Sequence, residues 1–132
     1  MKKTRIGING FGRIGRVTMR LITERPEFEV VAINDLTPTE QNAHLLKYDS
    51  VHGVWNHNVS STKDTLSVDG KEIRVFNRKD PAEIPWRELN VDIVIESTGI
   101  FTGFDGASKH LAAGAKKVII SAPCKDEQKI KT

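Results

Sequence analysis

One cysteine, an aromatic share of 6% and the lack of any long apolar run set the first limits on this 132-residue chain. A lone cysteine excludes an internal disulfide framework and any zinc cluster built on cysteines. It fits a reducing compartment, and the expected location is cytoplasmic. No apolar stretch approaches the ~18–20 residues of a membrane span. Met1-Lys2-Lys3-Thr4-Arg5 runs straight into a strand pattern, so no signal peptide is expected after those charges. Charge of one sign is lacking too: 20 basic residues against 17 acidic leave a net +3. That excess is small and scattered, and few aromatics are available to stack on bases, so nucleic acid is not an expected partner. What is present is ordinary for a globular domain, with 38% hydrophobic and 28% charged residues. The length suits one domain, and no repeat, low-complexity segment or linker divides it.

The periodicity alternates between strand and helix. Arg5-Ile6-Gly7-Ile8-Asn9 reads as a short strand. A helix follows over about 12–24, with Ile14, Val17, Leu21 and Ile22 as its apolar stripe and Arg16, Arg20 and Glu24 on the other side. Pro26 stops it. Val30 to Ile33 is a continuous apolar run, the signature of a strand buried on both faces. Thr37-Pro38-Thr39-Glu40 starts a second helix carrying Ala43, Leu45, Leu46 and Tyr48. Thr65 to Val75 is a hairpin about Asp69-Gly70, a pair suited to a type I′ turn. That turn sets Leu66 opposite Ile73 and Val68 opposite Lys71, with Leu66, Val68, Ile73 and Val75 on one face. The stretch 81–89 reads as loop with short helical pieces. Val91 to Gly99 gives another buried strand ending in small polar residues, a helix over about 105–113 ends at Gly114, and Lys116 to Pro123 gives a fourth buried strand. The fold class is therefore α/β, a Rossmann-type parallel sheet with helices on both faces and an inserted antiparallel hairpin.

Between the first strand and first helix lies Gly10-x-Gly12-x-x-Gly15. Gly10 allows the turn out of the strand, Gly12 lets backbone approach a pyrophosphate, and Gly15 lets helix and strand pack closely. The helix start offers N–H groups and a positive dipole end, worth about 0.3–1 kcal/mol to an anion. Asp35 ends the second strand 20 residues after Gly15. A carboxylate there accepts hydrogen bonds from ribose hydroxyls and repels a 2′-phosphate, so NAD is the expected cofactor rather than NADP. Ser97, Thr98, Gly99 and Ser121 follow two other strands, at the sheet edge where ligands lie in such folds.

These blocks resemble the opening of glyceraldehyde-3-phosphate dehydrogenase. The resemblance is carried by 8–16 (Ile8-Asn9-Gly10-Phe11-Gly12-Arg13-Ile14-Gly15-Arg16), by Ala32-Ile33-Asn34-Asp35, by the run from His44 to Gly53, by Glu96-Ser97-Thr98-Gly99 and by the run from Ala113 to Pro123. It implies a glycolytic, homotetrameric, cytoplasmic enzyme that oxidises glyceraldehyde 3-phosphate with NAD and phosphate to 1,3-bisphosphoglycerate. A cysteine thiolate and a histidine base serve that reaction. Carried over by residue, the main chain of Arg13 and Ile14 binds the pyrophosphate and Asp35 the adenosine ribose. Asn9, Gly10, Phe11, Gly12, Thr98, Gly99 and Ser121 line the groove, with Gly15 behind them and Phe101 beside it. The family usually has arginine before the Asp-Pro pair, on the adenine side, where this chain has Lys79. A backbone contact survives that change, and a side-chain contact does not.

The resemblance places the catalytic stretch Ser-x-Ala-Ser-Cys-Thr-Thr-Asn beyond Thr132, with the catalytic histidine later still. Residues 1–132 are thus expected to be an NAD-binding domain truncated before the catalytic and substrate domain. No catalytic residue and no metal ligand is assigned within it. Its sheet would be incomplete, with an open edge that favours marginal stability or self-association. Cys124 sits where the family has a small or polar residue, and is read as inert. His44, His52, His57 and His110 show no metal-ligand spacing and no pairing with carboxylates. Two other readings stay open. One is a free-standing nucleotide-binding or interaction module. The other is a piece of erythrose-4-phosphate dehydrogenase, which tends to carry glutamate at the Asp35 position.

Overall fold

Aliphatic runs become neighbouring strands of one sheet in the computed structural model, which describes residues 3–49, 53–99 and 104–121. In chain order these form β1 (Thr4–Asn9), α1 (Arg13–Thr23), β2 (Phe28–Asn34), α2 (Thr39–Lys47), β3 (Tyr48–Asp49), β4 (Gly53–Val54) and β5 (Val59–Ser61). There follow β6 (Thr65–Val68), β7 (Lys71–Phe76), a 3-10 turn at Pro81–Glu83, β8 (Ile93–Glu96), α3 (Phe104–Ala112) and β9 (Lys117–Ile120). The main sheet runs β5-β6-β7-β2-β1-β8-β9, and β3 and β4 make a separate ribbon. β7, β2, β1, β8 and β9 are mutually parallel. β6 and β5 extend them antiparallel. In order of appearance the parallel strands lie third-second-first-fourth-fifth, the doubly wound arrangement. The chain leaves β1 toward β2 and later returns to its other side as β8. Between β1 and β8 the order reverses, which puts a crevice at their carboxyl ends.

Both faces of the sheet are covered. Ile6, Ile8, Val30 and Ile33 pack with Met19 of α1 and Ala43 and Leu46 of α2. Ala32 and Val94 face the opposite way, onto Ile84, Trp86, Val91 and Ala115. Ala107 of α3 joins Ile120. Each large aliphatic buried in this way stabilises the fold by about 1.5–3 kcal/mol relative to exposure. On the second face, a Cβ at Gly7 would lie 2.5 Å from Trp86 Cζ3. The bare strand is what lets the indole pack against β1.

The hairpin follows the expected register, with Leu66 opposite Ile73 and Val68 opposite Lys71. Asp69 and Gly70 have φ of 51° and 83°, as a type I′ turn requires. Its second arm, β7, also pairs parallel with β2, so the hairpin is continuous with the nucleotide-fold sheet. Strands β5, β3 and β4 carry no periodic signal and form through neighbours. Arg20 supplies much of that framework, donating to the carbonyls of Leu46, Lys47 and Gly53.

Three expectations need correction. The buried positions of α1 are Gly15 and Met19, while Ile14 and Leu21 are 53% and 65% exposed. The helix phase is set by the contact of Gly15 with the glycine loop, and that contact turns Ile14 and Leu21 outward. β9 is not buried on both faces: it lies at the sheet edge among the described residues, with Ile119 exposed. Tyr48 lies beyond α2, in β3, and is exposed. Among the described residues no helix is long and apolar enough to cross a membrane.

Candidate functional site

The parallel strands deliver Asn9, Asn34, Phe76, Glu96 and Ile120 to one edge of the sheet. The glycine loop crosses that edge. Gly10 has φ of +93°, and a Cβ on it would lie 2.7 Å from Thr98 N. Both facts demand glycine. At Gly15 an added Cβ would collide with the Gly10 carbonyl oxygen, so helix and loop meet there without a side chain between them. Gly12 differs from both. A Cβ on it meets nothing within 4 Å, so this glycine faces open space.

Gly12 is also the N-cap of α1, and no side chain caps the helix. The first-turn N–H groups have no intrahelical acceptor and are offered outward, beside an exposed Arg13 and Ile14. This is the environment an anion requires. Arg16 reinforces the loop from behind, donating from Nη1 to the Phe11 carbonyl at 3.0 Å.

Asp35 stands just past β2. Its Oδ1 accepts from Phe11 N–H at 2.9 Å and its Oδ2 from Thr37 N–H at 2.9 Å. A carboxylate has about four acceptor positions. Two are used to fix its orientation, and two remain for a ribose diol. Beside it opens a cavity of about 800 Å³ whose lining includes Asp35, Leu36, Thr37, Phe76 and Asn77. The residues present therefore fit a dinucleotide: an open backbone cradle, an uncapped helix start and an oriented acid.

The other expected residues divide into groups. Thr98 packs directly against Gly10 of the glycine loop, and Gly99 beside it has φ of +77°. Ser121 ends β9 and donates from both N–H and Oγ to the Glu96 carbonyl, each at 3.0 Å. Phe11 is only 1% exposed and its ring belongs to the core, so only its backbone can serve a groove. Asn9 is 2% exposed and lies beneath the loop, with its amide bonded to neighbouring side chains. Lys79 is exposed. Its neighbour Arg78 is fastened through its own backbone N–H and carbonyl to Asn34. Phe101, Cys124 and His52 lie outside the described residues.

The expectation that the histidines lack carboxylate partners fails twice. His57 Nδ1 lies 2.5 Å from Asp69 Oδ2 and its Nε2 2.6 Å from Glu24 Oε1. His110 Nε2 lies 2.7 Å from Glu96 Oε1, with both side chains buried. The partners are 12, 33 and 14 residues away in sequence, and no local spacing announces them. Burial pushes the Glu96 carboxyl up. Hydrogen bonds from His110, Thr98 and Asn9 outweigh burial and hold it below its ordinary 4.5.

An open parallel sheet with this loop, this helix start and this acid defines a dinucleotide-binding domain of the Rossmann type. A family profile described as the NAD binding domain of glyceraldehyde 3-phosphate dehydrogenase matches residues 4–104. The chain belongs to the glyceraldehyde-3-phosphate dehydrogenase family of NAD-dependent oxidoreductases, and the matched region is its NAD-binding domain. It is 60% identical to the glyceraldehyde-3-phosphate dehydrogenase of Thermotoga maritima over 125 residues, 93% of this chain and 38% of that protein. The enzyme of Mycoplasma pneumoniae is 54% identical over 131 residues, 99% of this chain and 39% of that one. That of Geobacillus stearothermophilus is 58% identical over 123 residues, 93% and 37% respectively. The chain thus spans about two-fifths of the length of the curated relatives it matches.

Proposed function

We propose that residues 1–132 are the cofactor-holding part of a phosphorylating glyceraldehyde-3-phosphate dehydrogenase, which oxidises glyceraldehyde 3-phosphate with NAD and phosphate to 1,3-bisphosphoglycerate. The observation that carries this reading is the pairing of the open Gly12 backbone with the oriented Asp35 carboxylate. In it, the first-turn N–H groups of α1, from Arg13, Ile14 and Gly15, hold the pyrophosphate. Asp35 accepts from the adenosine ribose and excludes a 2′-phosphate by charge. Thr98, Gly99 and Ser121 form the wall of the crevice, and Lys79 flanks the groove. Bound NAD supplies the hydride acceptor. The cysteine and histidine that act on the aldehyde belong to the remainder of the family's length, so this chain by itself is an inactive portion. Cytoplasmic location and a homotetrameric parent belong to the same reading. Asp35 favours this enzyme over its erythrose 4-phosphate relative.

The test is calorimetric titration of the folded chain, checked by circular dichroism, with NAD and with NADP. Saturable NAD binding with little NADP binding is expected. Equal affinity for the two cofactors would sink the role given to Asp35.

A further inference from the structure

Two chains of hydrogen bonds run under the nucleotide groove and end on one carboxylate. The first begins at Arg78, whose backbone N–H donates to Asn34 Oδ1 at 2.9 Å. Asn34 Nδ2 donates to Asn9 Oδ1 at 2.8 Å, and Asn9 Nδ2 donates to Glu96 Oε1 at 2.7 Å. The second begins at Trp86, whose indole N–H donates to His110 Nδ1 at 3.0 Å. An indole N–H can only donate. His110 Nδ1 is therefore the acceptor, and the ring proton on Nε2 points to Glu96 Oε1 at 2.7 Å. The other carboxylate oxygen, Oε2, takes the backbone N–H of Thr98 at 3.0 Å and its hydroxyl at 2.6 Å.

Direction is fixed along both chains. Asn34 cannot be reversed without opposing its amide to the Arg78 N–H. Asn9 cannot be reversed without opposing Asn34, and His110 cannot shift its proton without opposing Trp86. Every group around Glu96 is thus a donor, and only a pure acceptor satisfies them all. The one partner outside these locked chains is Thr98, whose backbone packs against Gly10 of the glycine loop. A buried charge is costly unless its partners are complete, and here they are complete only with Thr98 in place.

We propose that Glu96 is a positioning residue of the nucleotide groove, holding the Thr98–Gly99 wall at the mouth of the β1–β8 crevice, with His110 and Trp86 fixing its orientation. The inference rests on the reading of this groove as the NAD site, but its first test does not.

That test is residue-resolved amide exchange on the chain without nucleotide, for the wild type and Glu96→Gln. In the wild type the Thr98 amide should exchange as slowly as those of β8. Free-loop exchange at Thr98 would overturn the proposal without any variant, and so covers the case in which Glu96→Gln does not fold. In Glu96→Gln the new amide group must oppose a donor, and Thr98 is the partner able to yield. Exchange at Thr98 should rise by about tenfold or more while β1 and β2 stay unchanged. A uniform rise across the sheet would make Glu96 a general stabiliser of the fold and refute the assignment, as would no rise at all. The second arm titrates both proteins with NAD. Affinity weaker by about tenfold in the variant supports positioning, and equal affinity counts against it. Failure of the wild type to bind NAD strikes the functional reading, while the exchange arm still decides the role of Glu96.

Discussion

Asp35 Oδ1 accepts a 2.9 Å hydrogen bond from the backbone N–H of Phe11, tying the end of the second strand to the middle of the glycine loop. The acid that would select the ribose is thereby oriented by the loop that would hold the phosphates. A ribose would use lone pairs that the fold leaves open on this carboxylate, so its charge and its geometry can be separated by substitution.

Asp35→Asn keeps one carbonyl oxygen for Phe11 and removes the charge. NAD binding should weaken by about 1.5–3 kcal/mol, the value of a hydrogen bond to a charged group. Discrimination against NADP should relax because a 2′-phosphate no longer meets an anion. Titration with both cofactors reads the two effects. Unchanged selectivity would mean that another group performs the discrimination.

Gly12 and Gly15 make a contrasting pair. Gly12→Ala adds a methyl to open space at φ −77°, which alanine adopts freely, so stability should stay within about 0.5 kcal/mol. NAD binding should suffer, because the methyl occupies the approach to the backbone. Gly15→Ala pushes a methyl into the Gly10 carbonyl and should cost about 1–3 kcal/mol of stability. Urea unfolding beside NAD titration separates them. Equal stability loss in both variants would contradict the assignment of an open cradle at Gly12.

The motif was readable from sequence because its causes are local. A turn out of β1, an uncapped helix start and an acid at the end of β2 each leave a residue-type signature at fixed spacing. The Asp69-Gly70 hairpin is of the same kind, and its register follows from its turn. What escaped was set by distant partners. Nothing near His110 announces Glu96, and nothing near Trp86 announces that Gly7 is bare for its sake. The face of α1 departs from its apolar periodicity for a related reason. Periodicity identifies a helix, but the contact of Gly15 decides its rotation, and that contact involves no apolar side chain.

His57 predicts a pH dependence away from the groove. Hydrogen bonds from its ring to Asp69 and then to Glu24 favour the charged imidazolium and raise its pKa above the ordinary 6.5, despite partial burial. A raised folded value means that the stabilisation is fully present below 6.5 and is lost as pH climbs through the raised value. Asp69 is held below its ordinary 3.8, chiefly by His57, so its share is lost only in acid, as pH falls through its lowered value. The wild type should therefore lose stability relative to His57→Gln as pH rises from 6.5 through that raised value. Urea midpoints from below pH 6.5 upward measure the difference, and parallel curves for the two proteins would exclude a contribution from the His57 contacts with Asp69 and Glu24.

Trp86 and Gly7 should prove energetically coupled. Gly7→Ala brings a methyl to 2.5 Å from the indole and should destabilise by about 1–3 kcal/mol, although alanine itself suits a strand. Trp86→Phe removes the ring atoms nearest that methyl and also leaves His110 Nδ1 without its donor, which alone costs about 1–3 kcal/mol. In the double variant the methyl of Ala has room, so the combined loss should fall short of the sum by about 0.5–3 kcal/mol. If the two losses simply add, the indole does not determine the glycine at position 7. The coupling bears on function as well, because Trp86 fixes the tautomer of His110 and, through it, the carboxylate beneath the groove. A methyl at position 7 that shifts the indole should weaken the Trp86–His110 hydrogen bond. Its effect should then appear as faster amide exchange at Thr98, two residues past the end of β8, whereas the strand partner of Gly7 on β8 is Val94.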